Sequence, residues 1–126
     1  MGDLTILDWV GRAVSAAADK KAGHLAVLEV GPFLAITDYF LICSAASDRQ
    51  VKTIAEEVEV SLKAQGRPPI RTEGNSSTGW ILIDYGEFVV HVFNEDMREY
   101  YDLERLWKDA PRPEVPELVE AREALA

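Results

Sequence analysis

The decisive stretch of this sequence is residues 79–107, which read GWILIDYGEFVVHVFNEDMREYYDLERLW. An apolar run at 80–83 and a β-branched and aromatic run at 88–93 flank Tyr85-Gly86, a pair that suits the positive-φ turn of a β-hairpin. An aromatic-rich segment follows with almost no spacer, and its pattern predicts a short helix. The stretch therefore predicts two paired strands and a helix, with little room for a catalytic centre.

The residues before this hairpin predict two further helices and three further strands. Together with the hairpin and the helix after it, they give the order αββαβββα along the chain. Apolar residues at helical spacing predict a first helix at 3–21, and Ser47 with Gln50 forms a capping-box pattern for a second helix that ends at Gly66. Strands are predicted at 25–30, 37–44, 70–73, 80–83 and 88–93, with the last helix at 97–106. This order predicts an α/β fold: a mixed five-stranded sheet flanked by helices.

The length of 126 residues fits one domain with a single hydrophobic core. We expect that domain to occupy residues 1–110. Residues 111–126 are rich in Pro and Glu, and three prolines interrupt regular structure there. We therefore expect a mobile C-terminal tail that forms at most a marginal helix.

The charge and apolar pattern restrict the classes of partner. Acidic residues outnumber basic ones 22 to 13, for a net charge of −9, so we expect little direct binding to nucleic acid. No apolar run approaches the ~20 residues that span a bilayer, and the N-terminus lacks the pattern of a secretory signal. These features predict a cytoplasmic protein that does not act in a membrane. The negative charge either favours a basic protein surface as partner or only keeps the protein in solution, and composition does not separate the two.

The residues capable of acid, base, nucleophilic or metal chemistry are dispersed. Asp38, Asp48, Asp84 and His91 fall on separate elements without a ligand spacing, and Cys43 stands alone in a strand. The segment before the second helix, SAASDRQ, has neither the Gly nor the Lys of a phosphate cradle. We therefore predict no catalytic residue, no metal and no cofactor, with Cys43 buried and His91 packed or hydrogen-bonded in the structure.

A binding surface is the better prediction, because aromatic residues crowd the decisive stretch. Trp80 opens a strand beside a polar loop and Tyr85 sits at the hairpin turn, so we expect both to be exposed and available to a partner. Phe88, Phe93 and Trp107 are expected in the core. An aromatic edge does not identify its partner, so an adaptor in some macromolecular complex stays open, as does a nucleotide-binding enzyme.

Residues 79–107, together with DYFLICSAASDRQV at 38–51, resemble the ribosomal silencing factor family, also called Iojap-like. The resemblance covers about residues 4–110. It implies a fold similar to that of nucleotidyltransferases, whose paired carboxylates this chain lacks, because Leu82 stands where a partner for Asp84 would be needed. Fold likeness alone does not transfer that activity.

The resemblance also implies a function and a site. Members of this family dock on the large-subunit ribosomal protein numbered fourteen, block joining of the small subunit, and so repress translation under nutrient limitation; they also tend to be homodimers. By resemblance the docking surface falls on the strand and turn from Trp80 to Tyr85. The candidate contacts are Trp80, Ile83, Asp84 and Tyr85, with Tyr100 and Tyr101 as secondary candidates.

Overall fold

The computed structural model describes residues 4–125. Its secondary structure follows the predicted order, with a 3-10 turn added before β4 and two further helices after α3. The elements are α1 (Ile6–Asp19), β1 (Gly23–Glu29), β2 (Tyr39–Ala45), α2 (Asp48–Ala64), β3 (Arg71–Asn75), a 3-10 turn (Ser76–Thr78), β4 (Trp80–Asp84), β5 (Phe88–Asn94), α3 (Glu95–Tyr101), α4 (Leu103–Leu106) and α5 (Pro116–Leu125).

The five strands form one mixed sheet in the order β1-β2-β5-β4-β3. β2 and β5 are parallel, and the other three pairs are antiparallel. The predicted α/β fold with a mixed five-stranded sheet is confirmed. The predicted hairpin is also present, since β4 and β5 pair around Gly86, which has a φ of +85°.

Local capping residues position the two long helices. Thr5 and Asp8 cap α1 reciprocally, each side chain accepting a hydrogen bond from the backbone N–H of the other. Ser47 caps α2 by accepting from the N–H of Gln50 at 3.1 Å. The Gln50 side chain accepts from the N–H of Ala46 at 2.9 Å and donates to the carbonyl of Lys21 at 3.2 Å. This one amide therefore connects the start of α2 to the end of α1.

The sheet has two unlike faces. The helical face, on which α1 and α2 pack, carries the large core and includes fully buried Leu41, Val90 and Val92. The open face carries a smaller cluster around Phe40 and Phe93, which is partly covered by Leu34, Met97, Leu103 and Trp107. Both Phe88 and Phe93 are buried as expected, whereas Trp107 is half-buried against the open face.

The predicted helix at 97–106 is two short helices, because the chain breaks at Asp102. That residue has a φ of +47° and a ψ of 55°, the left-handed conformation that ends a helix. Its N–H donates to the carbonyl of Arg98 at 2.9 Å, which closes α3. Neither α3 nor α4 contains a buried residue, so both lie on the surface of the open face.

The C-terminal segment differs from the expected mobile tail. Val115, Leu118 and Ala121 are buried in the main core, where α5 packs against α1. The carbonyl of Pro111 accepts a hydrogen bond from the N–H of Glu29 at 2.8 Å, which ties the entrance of this segment to β1. An isolated helix of this length is marginal in water, so its order comes from the apolar surface that α1 provides.

Within residues 4–125, no helix combines the length and apolar character needed to cross a membrane.

Candidate partner-binding site

The side chains of β4 alternate between the two faces of the sheet. Ile81 and Ile83 point to the helical face and are buried, whereas Trp80, Leu82 and Asp84 lie on the open face and are half-buried. This is the two-residue period of any strand, but here it divides core from surface. The β4 side chains available to a partner are therefore those of Trp80, Leu82 and Asp84.

Trp80 is held rigidly on the open face. Its ring stacks on Phe93 with centroids 5.0 Å apart and an angle of 27° between the planes. Its indole N–H donates to Nδ1 of His91 at 3.2 Å. The ring of Tyr101 approaches the same indole with a centroid distance of 4.5 Å. A large aromatic fixed in this way loses little conformational entropy on binding.

His91 is buried and accepts the hydrogen bond that orients Trp80. The prediction of a packed or hydrogen-bonded histidine is therefore confirmed. Its ring lies edge-on to Phe40 at 4.6 Å and is 4 % exposed. Burial lowers the pKa of His91 to about 4, so the ring is neutral at physiological pH. Because an indole N–H can only donate, Nδ1 must be the unprotonated nitrogen, and Nε2 carries the proton.

Asp84 is committed to the hairpin turn. Its carboxylate accepts from the N–H of Gly86 at 2.8 Å and pairs with Nε of Arg71 at 3.2 Å. The same guanidinium lies 3.6 Å from the carboxylate of Glu73. One cation therefore serves two carboxylates, and this edge of the sheet keeps a net negative charge.

The prediction that Tyr85 is exposed was wrong. Tyr85 is 2 % exposed, and its ring stacks on Phe88 with centroids 4.8 Å apart. Burial raises the pKa of its phenol. Tyr85 follows β4 and points to the same helical face as Ile81 and Ile83. Its N–H donates to the carbonyl of Phe88, so strand-like pairing continues to this residue. Ile83 is fully buried as well, so neither side chain reaches the surface.

The two tyrosines of α3 lie on the surface beside Trp80. Tyr100 is 75 % exposed and Tyr101 is 44 % exposed, and their rings meet edge-to-face at 5.1 Å. Tyrosine is one of the residue types that are enriched in protein interfaces. Trp80, Tyr100 and Tyr101, which are separated in the sequence, thus form one aromatic surface.

A small pocket opens beside this surface. It has a volume of about 170 Å³ and is lined by Trp80, Leu82, Tyr101, Glu73, Gly74 and Thr78. Sequence reasoning missed Leu82 and Glu73. The alternation of β4 would have found Leu82, because it shares a face with Trp80; Glu73 needed the register, in which it lies opposite Leu82.

The groups considered for chemistry do not converge. Cys43 is fully buried, as expected, and burial raises the pKa of its thiol to about 12. Asp48, the first residue of α2, accepts from the side-chain amide of Asn94 at 2.8 Å, whereas Asp84 is the last residue of β4. In the described part of the chain, no group of three or more His, Cys, Asp or Glu could hold a metal ion. The arrangement around Trp80 offers binding contacts.

A mixed sheet with two long helices on one face and an aromatic patch on the other defines an α/β domain. The chain matches the family model described as ribosomal silencing factor during starvation over residues 4–126. It therefore belongs to the ribosomal silencing factor family. The matched range includes the C-terminal helix, so the family resemblance extends beyond residue 110.

Individual relatives agree with this assignment. The chain is 46 % identical over 103 residues to the ribosomal silencing factor of Halalkalibacterium halodurans, covering 82 % of this chain and 88 % of that protein. A mouse protein named mitochondrial assembly of ribosomal large subunit protein 1 is 32 % identical, covering 75 % of this chain and 42 % of its own length. A crystal structure of protein CV0518 from Chromobacterium violaceum has a TM-score of 0.80 and 32 % identity, covering 90 % of this chain and 93 % of that one. A ribosome-associated silencing role is thus supported.

Proposed function

We propose that this protein binds the large ribosomal subunit through the open face of β4 and thereby blocks joining of the small subunit. The contact would be the ribosomal protein numbered fourteen, as the family resemblance implies. The observation that carries the proposal is the rigid, half-buried Trp80 with Tyr101 against it. The name of the mouse relative, which refers to the large subunit, is consistent with this choice of particle.

The proposed contacts are revised from those that the sequence suggested. Trp80, Leu82, Tyr100 and Tyr101 would form the apolar part of the interface, and Asp84 would lie at its acidic rim. Ile83 and Tyr85 are kept as residues that position β4 from beneath, because they are buried. Interfaces commonly combine a central aromatic anchor with a polar rim in this way.

The proposed mechanism requires no chemistry. A factor bound at an intersubunit contact excludes the small subunit by occupying its place, and the fraction silenced follows from mass action. The net charge of −9 would favour a basic ribosomal protein surface and speed association with it. We further propose that the protein acts in the cytoplasm, under nutrient limitation, and that it forms a homodimer.

Trp80→Ala is the first test of this proposal. Loss of a central aromatic anchor should weaken binding to isolated large subunits by about thirtyfold or more, because such anchors contribute about 2 kcal/mol or more. Co-sedimentation would measure the binding, and light scattering would measure subunit joining in the same samples. Wild-type protein should bind large subunits, ignore small subunits and suppress joining in proportion to the fraction bound.

Trp9→Ala is the matched control, since Trp9 is the same residue type and is also half-buried. It packs against the large core on α1, beneath the guanidinium of Arg67, on the opposite side of the sheet. Trp9→Ala should leave binding and joining unchanged in folded protein. Equal loss in both variants, or wild-type protein that binds no ribosomal particle, would refute the proposed function.

A further inference from the structure

The pocket beside Trp80 has two aromatic walls and an acidic rim. Trp80, Tyr101 and Leu82 supply its aromatic and apolar lining, and Glu73 supplies its carboxylate. Gly74 also lines the pocket, and a side chain at that position would collide with the carbonyl of Trp80. The pocket is therefore built from rigid groups: a stacked indole, a strand side chain and a backbone that admits only glycine.

The size of the pocket restricts its occupant. A volume of about 170 Å³ is below the ~300 to 1,000 Å³ of typical cofactor and ligand sites. It corresponds to one long side chain. The occupant should therefore be a single residue of a protein partner, inserted from above.

The charges and the aromatic rings restrict its chemistry. Glu73 lines the pocket, and its carboxylate lies 3.6 Å from the guanidinium of Arg71, which also pairs with Asp84 at 3.2 Å. These three groups therefore carry one net negative charge beside the pocket. The faces of Trp and Tyr rings attract cations through their quadrupole. An aliphatic stem with a cationic end fits all three features, since the stem meets Leu82, the cation meets the rings and the rim carboxylate pairs with it.

We propose that this pocket receives one basic side chain, a lysine or arginine, of the protein that the open face of β4 binds. The proposal rests on the proposed function, because it identifies the contact that the ribosomal partner makes at that face. The basic side chain fixes the register of docking, while Trp80 supplies apolar area. Neither role requires Tyr85 at the hairpin turn, because its side chain is buried on the helical face of the sheet.

Variants of Tyr101 separate the cation from simple apolar packing. Tyr101→Phe keeps the ring and should bind large subunits as the wild type does. Tyr101→Leu keeps apolar bulk but removes the ring, and should weaken binding about threefold to thirtyfold. Because Tyr101 is 44 % exposed, both variants should remain folded, which circular dichroism verifies.

Glu73→Gln tests the charge at the rim. It should weaken binding about twofold to fivefold and make the affinity less sensitive to salt. The matched control is Glu120→Gln, which removes the same charge from an exposed position on α5, beyond the helical face. That control should keep both the affinity and the salt dependence of the wild type.

The possible outcomes distinguish this inference from the proposed function. Wild-type protein that fails to bind large subunits would refute both. If the wild type binds and Tyr101→Leu binds equally well, only the basic-side-chain inference fails. It fails also if Glu73→Gln leaves affinity and salt dependence unchanged, since an uncharged occupant would then fill the pocket. Loss in Tyr101→Leu and in Glu73→Gln, with Tyr101→Phe and Glu120→Gln intact, would support it.

Discussion

Each face of β4 carries two large apolar side chains, but the two pairs differ in burial. Ile81 and Ile83 are buried beneath α2, whereas Trp80 and Leu82, one residue away from each, stay half-buried on the open face. The difference comes from the covering layer and not from hydrophobicity, because two long helices cover one face and only short segments cover the other. Apolar residues on a partly uncovered face indicate a surface that a partner completes.

The largest effect expected from this comparison is at Ile83. Ile83→Ala should lower the free energy of unfolding by about 2 to 5 kcal/mol, because it leaves a cavity in a fully packed core. Leu82→Ala removes apolar bulk from the half-buried neighbour and should cost less than half as much. Urea denaturation of both variants gives the comparison directly. Equal losses would mean that the open face is as tightly packed as the helical one.

The helical face extends to the C-terminal helix, so a second large effect is expected there. Leu118 is 2 % exposed and its neighbour Val119 is 37 % exposed. Leu118→Ala should lower the stability by about 2 to 4 kcal/mol, and Val119→Ala by a few tenths of a kcal/mol. Thermal unfolding measures both. A Leu118→Ala protein as stable as the wild type would show that residues 111–126 form the mobile tail that their prolines suggest.

The open face should be sensitive to pH through His91. Burial lowers the pKa of this residue to about 4, against about 6.5 in the unfolded chain, so the unfolded state takes up the proton first as the pH falls. Its contribution to stability is complete above pH ~6.5 and is lost towards pH ~4, a loss of roughly 3 kcal/mol. Protonation of Nδ1 would also break the hydrogen bond from Trp80.

His91→Gln, which cannot titrate, isolates this effect when unfolding is measured between pH 7 and 4. The difference in stability between the wild type and the variant should shrink as the pH falls. His24→Gln removes the other histidine, which lies at an exposed position, and is the matched control. An NMR titration of the His91 ring in the wild type checks the pKa without a variant, and a midpoint near 6.5 would contradict the prediction.

The smallest effect expected is a gain in stability at Thr37. This residue is 6 % exposed, and its hydroxyl has no hydrogen-bond partner among the residues that the structure describes. Thr37→Val keeps the shape and removes the unsatisfied group, so it should raise the free energy of unfolding by about 1 kcal/mol. Urea denaturation measures the change. A loss of stability would indicate that the hydroxyl bonds an ordered water molecule.

Much of the fold was predictable from local patterns. Residue types at fixed spacings predict the hairpin around Gly86 and the Ser47 cap of α2. They also predict the order of the strands along the chain. The same alternation would also have predicted Tyr85 correctly, because it is an odd-numbered residue that follows Ile81 and Ile83. Its position at a turn suggested exposure, but the parity of the strand governed its direction.

The site was predictable only in part. Trp80 was identified from its residue type and position, and Tyr100 and Tyr101 were secondary candidates that the family resemblance implied. The structure places all three together. Leu82 could have been found by alternation, whereas Glu73 could not. Its place at the pocket depends on the pairing of β3 with β4, and a shift of one residue would send its side chain to the other face.

The sequence by itself determined the elements of this protein, because caps, turns and the period of apolar residues act over a few residues. Tertiary structure alone decided which elements were covered. It ordered α5, which is too short to be stable alone, by giving it the surface of α1. It also brought the indole of Trp80 onto His91, eleven residues away, because cross-strand contacts depend on register. Burial is a property of the packed layers, which no single segment contains.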